Sequence, residues 1–402
     1  MSSDHAACLP SPHDDCRNTP RADIAAWAAV LSIAVGSFVM VTTEFLPIGL
    51  LTDIAAGLRV SDGTAGLMVT MPAAAAAIAA PTLIMLSGGL DRRYVLWALM
   101  GLLIVSNSVA ALAPSFPVLL IGRVLLGICV GGFWSFATNI GRRLVPEVAG
   151  SRAVALVLAG ISVGTVCGVP AGALIGDLFG WRAAFGLTAG FTALVLLSQI
   201  LLLPPLPAQQ AVGLRHLFAP LRWPMARIGY LVCIFLFIGQ FAAYTYLKPL
   251  LQQVIGLAPD YIALLLLVYG LTGIVATFIG ERATARSLGG AMIGITVILG
   301  LTVIAAPHAT EGQLLITALV GLWGFAFGAI PVAITNWMFK AVPDNPEAGQ
   351  GLLVSVVQVA LSSGALVGGL LVDHAGIVNA MTAAGSLVLV GGLITALFAR
   401  RF

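Results

Sequence analysis

Charge is scarce in this sequence: Asp, Glu, Lys and Arg make up 9% of its 402 residues, where a soluble domain carries roughly a quarter. Hydrophobic residues reach 59% and the mean hydropathy is +1.05, which excludes an ordinary water-soluble globular fold. Cysteine is rare as well. The five, Cys8, Cys16, Cys129, Cys167 and Cys233, are odd in number and three lie in apolar runs, so neither a disulfide framework nor a metal-ligand spacing is present. The histidines, His5, His13, His216, His308 and His374, all fall in tails or loops. No P-loop, no G-x-S-x-G element and no metal-binding His pair occurs, so ATP hydrolysis and hydrolytic chemistry have no visible apparatus. The expectation is a protein that is not an enzyme and uses no cofactor. Alternating strand patterning is also missing, which leaves helices as the spanning elements.

What the sequence does have is long apolar runs. A hydrocarbon core of about 30 Å needs about 20 apolar residues per helical crossing. Twelve such spans are expected, roughly at 25–51, 63–86, 94–113, 116–138, 152–176, 183–203, 226–247, 260–280, 288–306, 312–338, 350–372 and 377–399. The fold class is therefore an all-α polytopic membrane protein. With the N-terminus in the cytoplasm, fifteen of the nineteen Lys and Arg fall on cytoplasmic segments, while Arg59, Arg182 and Lys248 lie outside and Arg123 within a span. The positive-inside rule thus puts both termini in the cytoplasm. Residues 1–22 are polar, with Asp14 and Asp15, and read as a tail and not a cleavable signal peptide.

The largest break in hydrophobicity after the tail, 204–225, separates six spans from six. Across it the sequence repeats. ATNIGRRLVPE at 137–147 matches ITNWMFKAVPD at 334–344 with an offset of 197. At an offset of 196, Gly168, Gly172, Leu174, Asp177 and Gly180 meet Gly364, Gly368, Leu370, Asp373 and Gly376. Six spans per half make the copies parallel, as in one class of secondary transporter. The expected domains are a tail (1–22), a six-helix bundle (23–203), a cytoplasmic linker (204–225), a second six-helix bundle (226–399) and a short tail (400–402). Two pseudo-symmetric bundles enclose a central cavity, and rocking them exposes it to alternate sides.

Glu44 sits well inside the first apolar span, where a carboxylate costs roughly 2.5 to 3.5 kcal/mol and by default signals function. The alternative is a structural hydrogen bond to a neighbouring helix. Arg123 in span four lies at a similar depth, roughly 10 Å below the outer boundary, so the two can pair. A conformational change that separates them would alter whether Glu44 holds a proton and couple a proton gradient to rocking; otherwise they are a static pair fixing two helices.

Span five carries Gly160, Gly164, Gly168, Gly172 and Gly176 at a spacing of four, with Pro170 among them. That makes one flat face for a closely approaching helix, whether as a gate or as generic packing. In the loop SGGLDRR at 87–93, Asp91, Arg92 and Arg93 form a candidate latch to a helix end, or only a positive-inside anchor. Candidate cavity residues are Phe133, Trp134 and Ser135, Gln240, Tyr244 and Tyr246, Trp323, Asn336, Trp337 and Gln358. Aromatic faces with amide and hydroxyl groups suit a planar polar solute, although Trp337 and the tyrosines near span ends also read as interface anchors.

From about residue 25 to 400 the chain resembles the major facilitator superfamily, specifically its twelve-span drug:proton antiporter branch with the bacterial sugar and purine ribonucleoside efflux permeases. TTEFLPIGLLTDIA at 42–55 resembles the sugar efflux members. DRRYV at 91–95, IGRVLLGICVGGFW at 121–134 and GQFAAYTYLKP at 239–249 are closer to the purine ribonucleoside pumps. GISVGTVCGVPAGALIGDLFGWR at 160–182 is similar to the antiporter motif, and SGGLDRR sits where the family has a gate latch, without its fuller glycine and arginine pattern because Tyr94 and Val95 follow Arg93. The resemblance implies export driven by proton entry, with Glu44 and Arg123 as coupling charges. The expected protein is an inner-membrane antiporter for small polar metabolites, purine nucleosides first and sugars or drugs next. Protons, the small-molecule substrate and the lipid bilayer are its partners, no nucleic acid is among them, and it works as a monomer. A proton symporter for uptake and a non-transporting membrane receptor remain as rivals.

Overall fold

The computed structural model describes residues 20–87, 89–146, 149–207, 218–310, 312–342 and 346–398. The expected tails, apart from residues 20–22, and the middle of the linker, 208–217, lie outside the described residues. Twelve helices are long and apolar enough to cross a membrane. They are α1 (Pro20–Leu58), α2 (Leu67–Leu86), α3 (Arg92–Ala111), α4 (Phe116–Arg143), α5 (Gly150–Phe179), α6 (Trp181–Leu202), α7 (Pro224–Tyr244), α8 (Pro259–Arg286), α9 (Leu288–Ala305), α10 (Gln313–Ala341), α11 (Pro346–Ala375) and α12 (Ile377–Phe398). No strand occurs among the described residues. The second expected span is split: a one-turn helix, Asp62–Ala65, is capped by Ser61, whose Oγ accepts from the Thr64 N–H, and Gly66 joins it to α2.

Helix ends follow from local chemistry. Asp91 caps α3 by accepting from the Arg93 N–H, satisfying a donor the first turn leaves free. α5 and α11 stop at Gly180 and Gly376, both at φ 83, a left-handed conformation that glycine enters without Cβ strain. These two glycines are repeat partners at the offset of 196.

The duplication is reproduced in the packing. Within the first half α1 lies on α5 and α6, α2 on α4, and α3 on α4 and α6; adding six to each number gives the contacts of the second half. Lipid tails provide no hydrophobic drive between helices, so close backbone approach over small residues supplies the adhesion. The row Gly160, Gly164, Gly168, Gly172 and Gly176 meets Ala34, Phe38, Thr42, Leu46 and Leu50 of α1, two four-residue ridges in register. Offsetting by 196 carries Gly168 against Thr42 onto Gly364 against Ile238, and Gly172 against Leu46 onto Gly368 against Ala242. The halves meet along α2 with α11 and α5 with α8. Apart from the Gln358 amide that faces Glu44 within the seam, the hydrogen bonds and ion pairs that the described residues make between halves lie toward the end holding the α1–α2 and α7–α8 connections. The bundles are therefore joined at that end, and no such bond ties the described residues at the other.

Candidate functional site

Glu44 lies in α1 at the seam between the bundles, 6% exposed. Across the seam the amide of Gln358 on α11 faces its carboxylate. The Gln358 Oε1 is buried and has no hydrogen-bond partner among the described residues, so an unused acceptor sits beside the acid. Phe45, the next residue, stacks on Phe241 of α7 with centroids 5.9 Å apart and planes at 16°. Phe241 also stacks on Phe237. Phe45, Phe237 and Phe241 are site residues that sequence reasoning missed, since a phenylalanine in an apolar run carries no distinguishing signal.

Arg123 is 1% exposed in α4. Its Nε donates to the Met68 carbonyl, Nη1 to Thr43 and Nη2 to Glu44, each at 2.9 Å. The arrangement follows from two prolines. In a helix the carbonyl of residue i accepts from the N–H of residue i+4, and proline has none. Pro47 therefore leaves the Thr43 carbonyl open, and Pro72 does the same for Met68. One guanidinium repairs both and ties α4 to α1 and α2. The side-chain ion pair that equal depth permits is not formed: the described ion pairs do not join Arg123 to the Glu44 carboxylate. Asn107 of α3 completes this layer by donating to Thr43 Oγ1 at 3.3 Å.

The offset that aligns the halves places Gln240 where the first half has Glu44. Gln240 is fully buried, donates to the Tyr269 hydroxyl at 2.7 Å and accepts from Trp323 Nε1 at 2.8 Å. Tyr244 stacks on Tyr269 with centroids 4.6 Å apart. Gln240, Tyr244 and Trp323, expected along a cavity wall, thus pack in a buried seam joining α7, α8 and α10, with the Gln240 amide engaged at both ends. Phe133 is fully buried and meets Trp134 edge to face at 5.4 Å, Trp134 itself being half-buried. Asn336 donates to Thr284 Oγ1 at 2.9 Å, within the second bundle. Among the expected cavity residues, the structure brings Gln358 to Glu44.

The loop residues expected to form a latch grip their own half. The Asp91 carboxylate accepts from the Leu206 N–H at 3.0 and 3.2 Å, and the Arg92 N–H donates to the Leu206 carbonyl at 2.9 Å. Arg92 Nη1 donates to the Ser87 carbonyl and hydroxyl, and its guanidinium lies over Phe136 at 4.8 Å. Arg93 pairs with Asp91 at 3.4 Å. Arg143 adds a bond to the Pro207 carbonyl at 2.8 Å. In this conformation the loop clamps the start of the linker, and no bond from Asp91, Arg92 or Arg93 to a described residue of the second bundle is formed.

Two six-helix bundles, related by an internal repeat and meeting over Glu44, the one buried carboxylate among the described residues, define a multi-pass membrane transporter. The model of the Major Facilitator Superfamily matches residues 33–348, and the chain belongs to that family. It is similar to a protein named transcription regulatory protein OpdE from Pseudomonas aeruginosa, 35% identical over 378 residues that cover 93% of this chain and 94% of that one. It is also similar to the purine ribonucleoside efflux pump NepI of Escherichia coli O6:K15:H31, 32% identical over 368 residues, covering 92% and 93%. Among solved structures, a bacterial homologue of the human lysosomal transporter Spinster, in its inward-facing and unoccupied conformation, shares the fold with a TM-score of 0.77 at 17% identity, covering 96% of this chain and 98% of that one. The human organic anion transporter MFSD10 does so with a TM-score of 0.63 at 19% identity, covering 94% and 100%.

Proposed function

We propose that this transporter is a proton-driven antiporter of a bacterial inner membrane, with both termini in the cytoplasm, that works as a monomer and exports purine ribonucleosides. The observation that carries the coupling is Glu44: a buried acid on the seam between two bundles, faced by a neutral amide from the opposite one. When the bundles part there, the carboxylate meets water and exchanges its proton; when they close, Gln358 replaces the water. Arg123 holds the helix backbone that presents Glu44, and the proton gradient is the energy source. The second half has an amide, Gln240, at the equivalent position, so one bundle carries the titrating group of the pair. Similarity to a purine ribonucleoside efflux pump over 92% of the chain supports the substrate, and stacked aromatic rings beside the acid suit a flat base. Sugars and drugs are the alternatives for the same mechanism.

Everted membrane vesicles energised to an acid interior are expected to accumulate radiolabelled inosine, and to lose it when the proton gradient is collapsed. Accumulation in right-side-out vesicles driven by inward protons would instead establish uptake. A non-transporting receptor would show neither.

A further inference from the structure

Phe45, Phe241 and Phe237 form a ladder of near-parallel rings. Phe45 comes from α1 of the first bundle and lies 5.9 Å from Phe241 of α7, centroid to centroid, with planes at 16°. Phe241 lies 6.2 Å from Phe237, one turn back on the same helix, at 18°. Phe327 of α10 stands edge-on to both α7 rings, with centroids at 6.1 and 6.3 Å, and these contacts hold the two rings in place within the second bundle. The step between Phe45 and Phe241 is different. Its rings belong to opposite bundles, so it is the step that widens when the bundles part.

A flat base lying between two rings needs about 7 Å, twice a stacking distance of roughly 3.4 Å. Parting Phe45 and Phe241 by about 1 Å therefore admits one heteroaromatic ring. A saturated sugar ring has no π-face to offer, and its hydroxyls would lose water between two hydrocarbon rings. A polar group stands beside this step as well. The residue before Phe45 is Glu44, and the Gln358 amide faces its carboxylate. An ionised carboxylate can only accept, so Gln358 turns its Nε2 to Glu44, and Oε1 is left buried with no hydrogen-bond partner among the described residues. A ring N–H at the edge of a purine is the kind of donor such an oxygen takes. Neither bundle holds the whole set: Phe45 comes from the first, Phe241 and Gln358 from the second.

We infer that Phe45 and Phe241 are the two faces of a base clamp: the purine is sandwiched between them, its N1–H donates to Gln358 Oε1, and the ribose stays outside the ring stack. The inference rests on the purine ribonucleoside reading and names the part of the nucleoside that is recognised. The test is equilibrium binding of radiolabelled inosine to the full-length protein in nanodiscs, with no proton gradient. Unlabelled hypoxanthine should compete for the wild-type site and ribose should not. Phe45→Leu keeps an apolar side chain but loses the ring, and should weaken inosine about tenfold, whereas Phe45→Tyr should stay within about threefold of wild type. 1-Methylinosine carries a methyl group in place of the N1–H, and should bind the wild type about tenfold more weakly than inosine. Gln358→Leu should bring inosine down to that level and leave 1-methylinosine within about threefold. Unchanged inosine affinity in Phe45→Leu, or ribose competing as well as hypoxanthine, would overturn the clamp. Equal wild-type affinity for inosine and 1-methylinosine would overturn the part given to Gln358. If Phe45→Leu does not fold, Phe241→Leu tests the opposite face with the same expected loss, and the 1-methylinosine comparison needs no variant. Inosine that fails to bind the wild type would end the purine reading and the clamp with it, while inosine bound equally by wild type and Phe45→Leu would end the clamp alone.

Discussion

Arg123 fills the hydrogen-bond vacancy that Pro47 creates one turn back in α1: the guanidinium donates at 2.9 Å to the Thr43 carbonyl, which Pro47 cannot serve. The same side chain serves Met68, left open by Pro72. A buried charge is thus balanced by main-chain dipoles, and the carboxylate of Glu44 is not spent on it.

A double-substitution test follows. Arg123→Met leaves buried carbonyls without donors at about 1 to 3 kcal/mol each, so the detergent-solubilised protein should melt well below wild type. Pro47→Ala restores an N–H to the Thr43 carbonyl. The combined variant should recover about 1 kcal/mol relative to Arg123→Met alone, measured by thermal unfolding. If the two effects merely add, Arg123 is not repairing the proline break.

The span count, the six-plus-six division and the glycine face of α5 were legible because each is a linear property: length, a break in hydropathy, a spacing of four. The repeat even pairs two of the positive-φ turns, Gly180 and Gly376. Partner choice was not legible. Glu44 and Arg123 sit at similar depth, which suggested a pair of charges, yet the prolines four residues beyond Thr43 and Met68 decide where the guanidinium goes. Gln240 and Trp323 look in sequence like lining for a cavity, because an interior seam and a cavity wall draw on the same residue types. Lys248 counted only toward topology until the fold set it against Asp53 and Asp177.

The glycine row makes a graded prediction. A Cβ at Gly160 collides with the Ala34 main-chain carbonyl, whereas at Gly176 it meets the tip of the Leu50 side chain, which can turn aside. Gly160→Ala should therefore destabilise by at least about 1 to 3 kcal/mol, the usual cost of overpacking, and Gly176→Ala by clearly less. Equal melting temperatures for the two would show that α1 and α5 separate easily along their whole length.

In the second bundle, Trp323→Phe removes the donor to Gln240 Oε1 and strands a buried acceptor, for an expected loss of about 1 to 3 kcal/mol. Gln240→Leu added to Trp323→Phe removes the stranded acceptor and should recover part of that loss. Because the Trp323 indole N–H is already spent on Gln240, inosine transport by any correctly folded Trp323→Phe protein should keep its wild-type KM. A KM raised tenfold at unchanged folding would place the indole in the substrate path.

Glu44→Gln keeps the shape of the side chain and its reach toward Gln358 but cannot release a proton at any working pH. Exchange of labelled for unlabelled nucleoside needs only that the loaded bundles rock, so counterflow should survive within about threefold, whereas accumulation driven by a proton gradient should fall by at least about a hundredfold, to the level of passive leak. The charge state of Glu44 also feeds back on the seam. With a neutral amide there at every pH, the rate of counterflow should lose the part of its pH dependence that Glu44 supplies, since no other Asp or Glu lies at the middle of a described span. Active accumulation persisting in Glu44→Gln would move the coupling elsewhere, and the ion pairs of the joined end, Lys248 with Asp53 and Asp177, would be the next carboxylates to test.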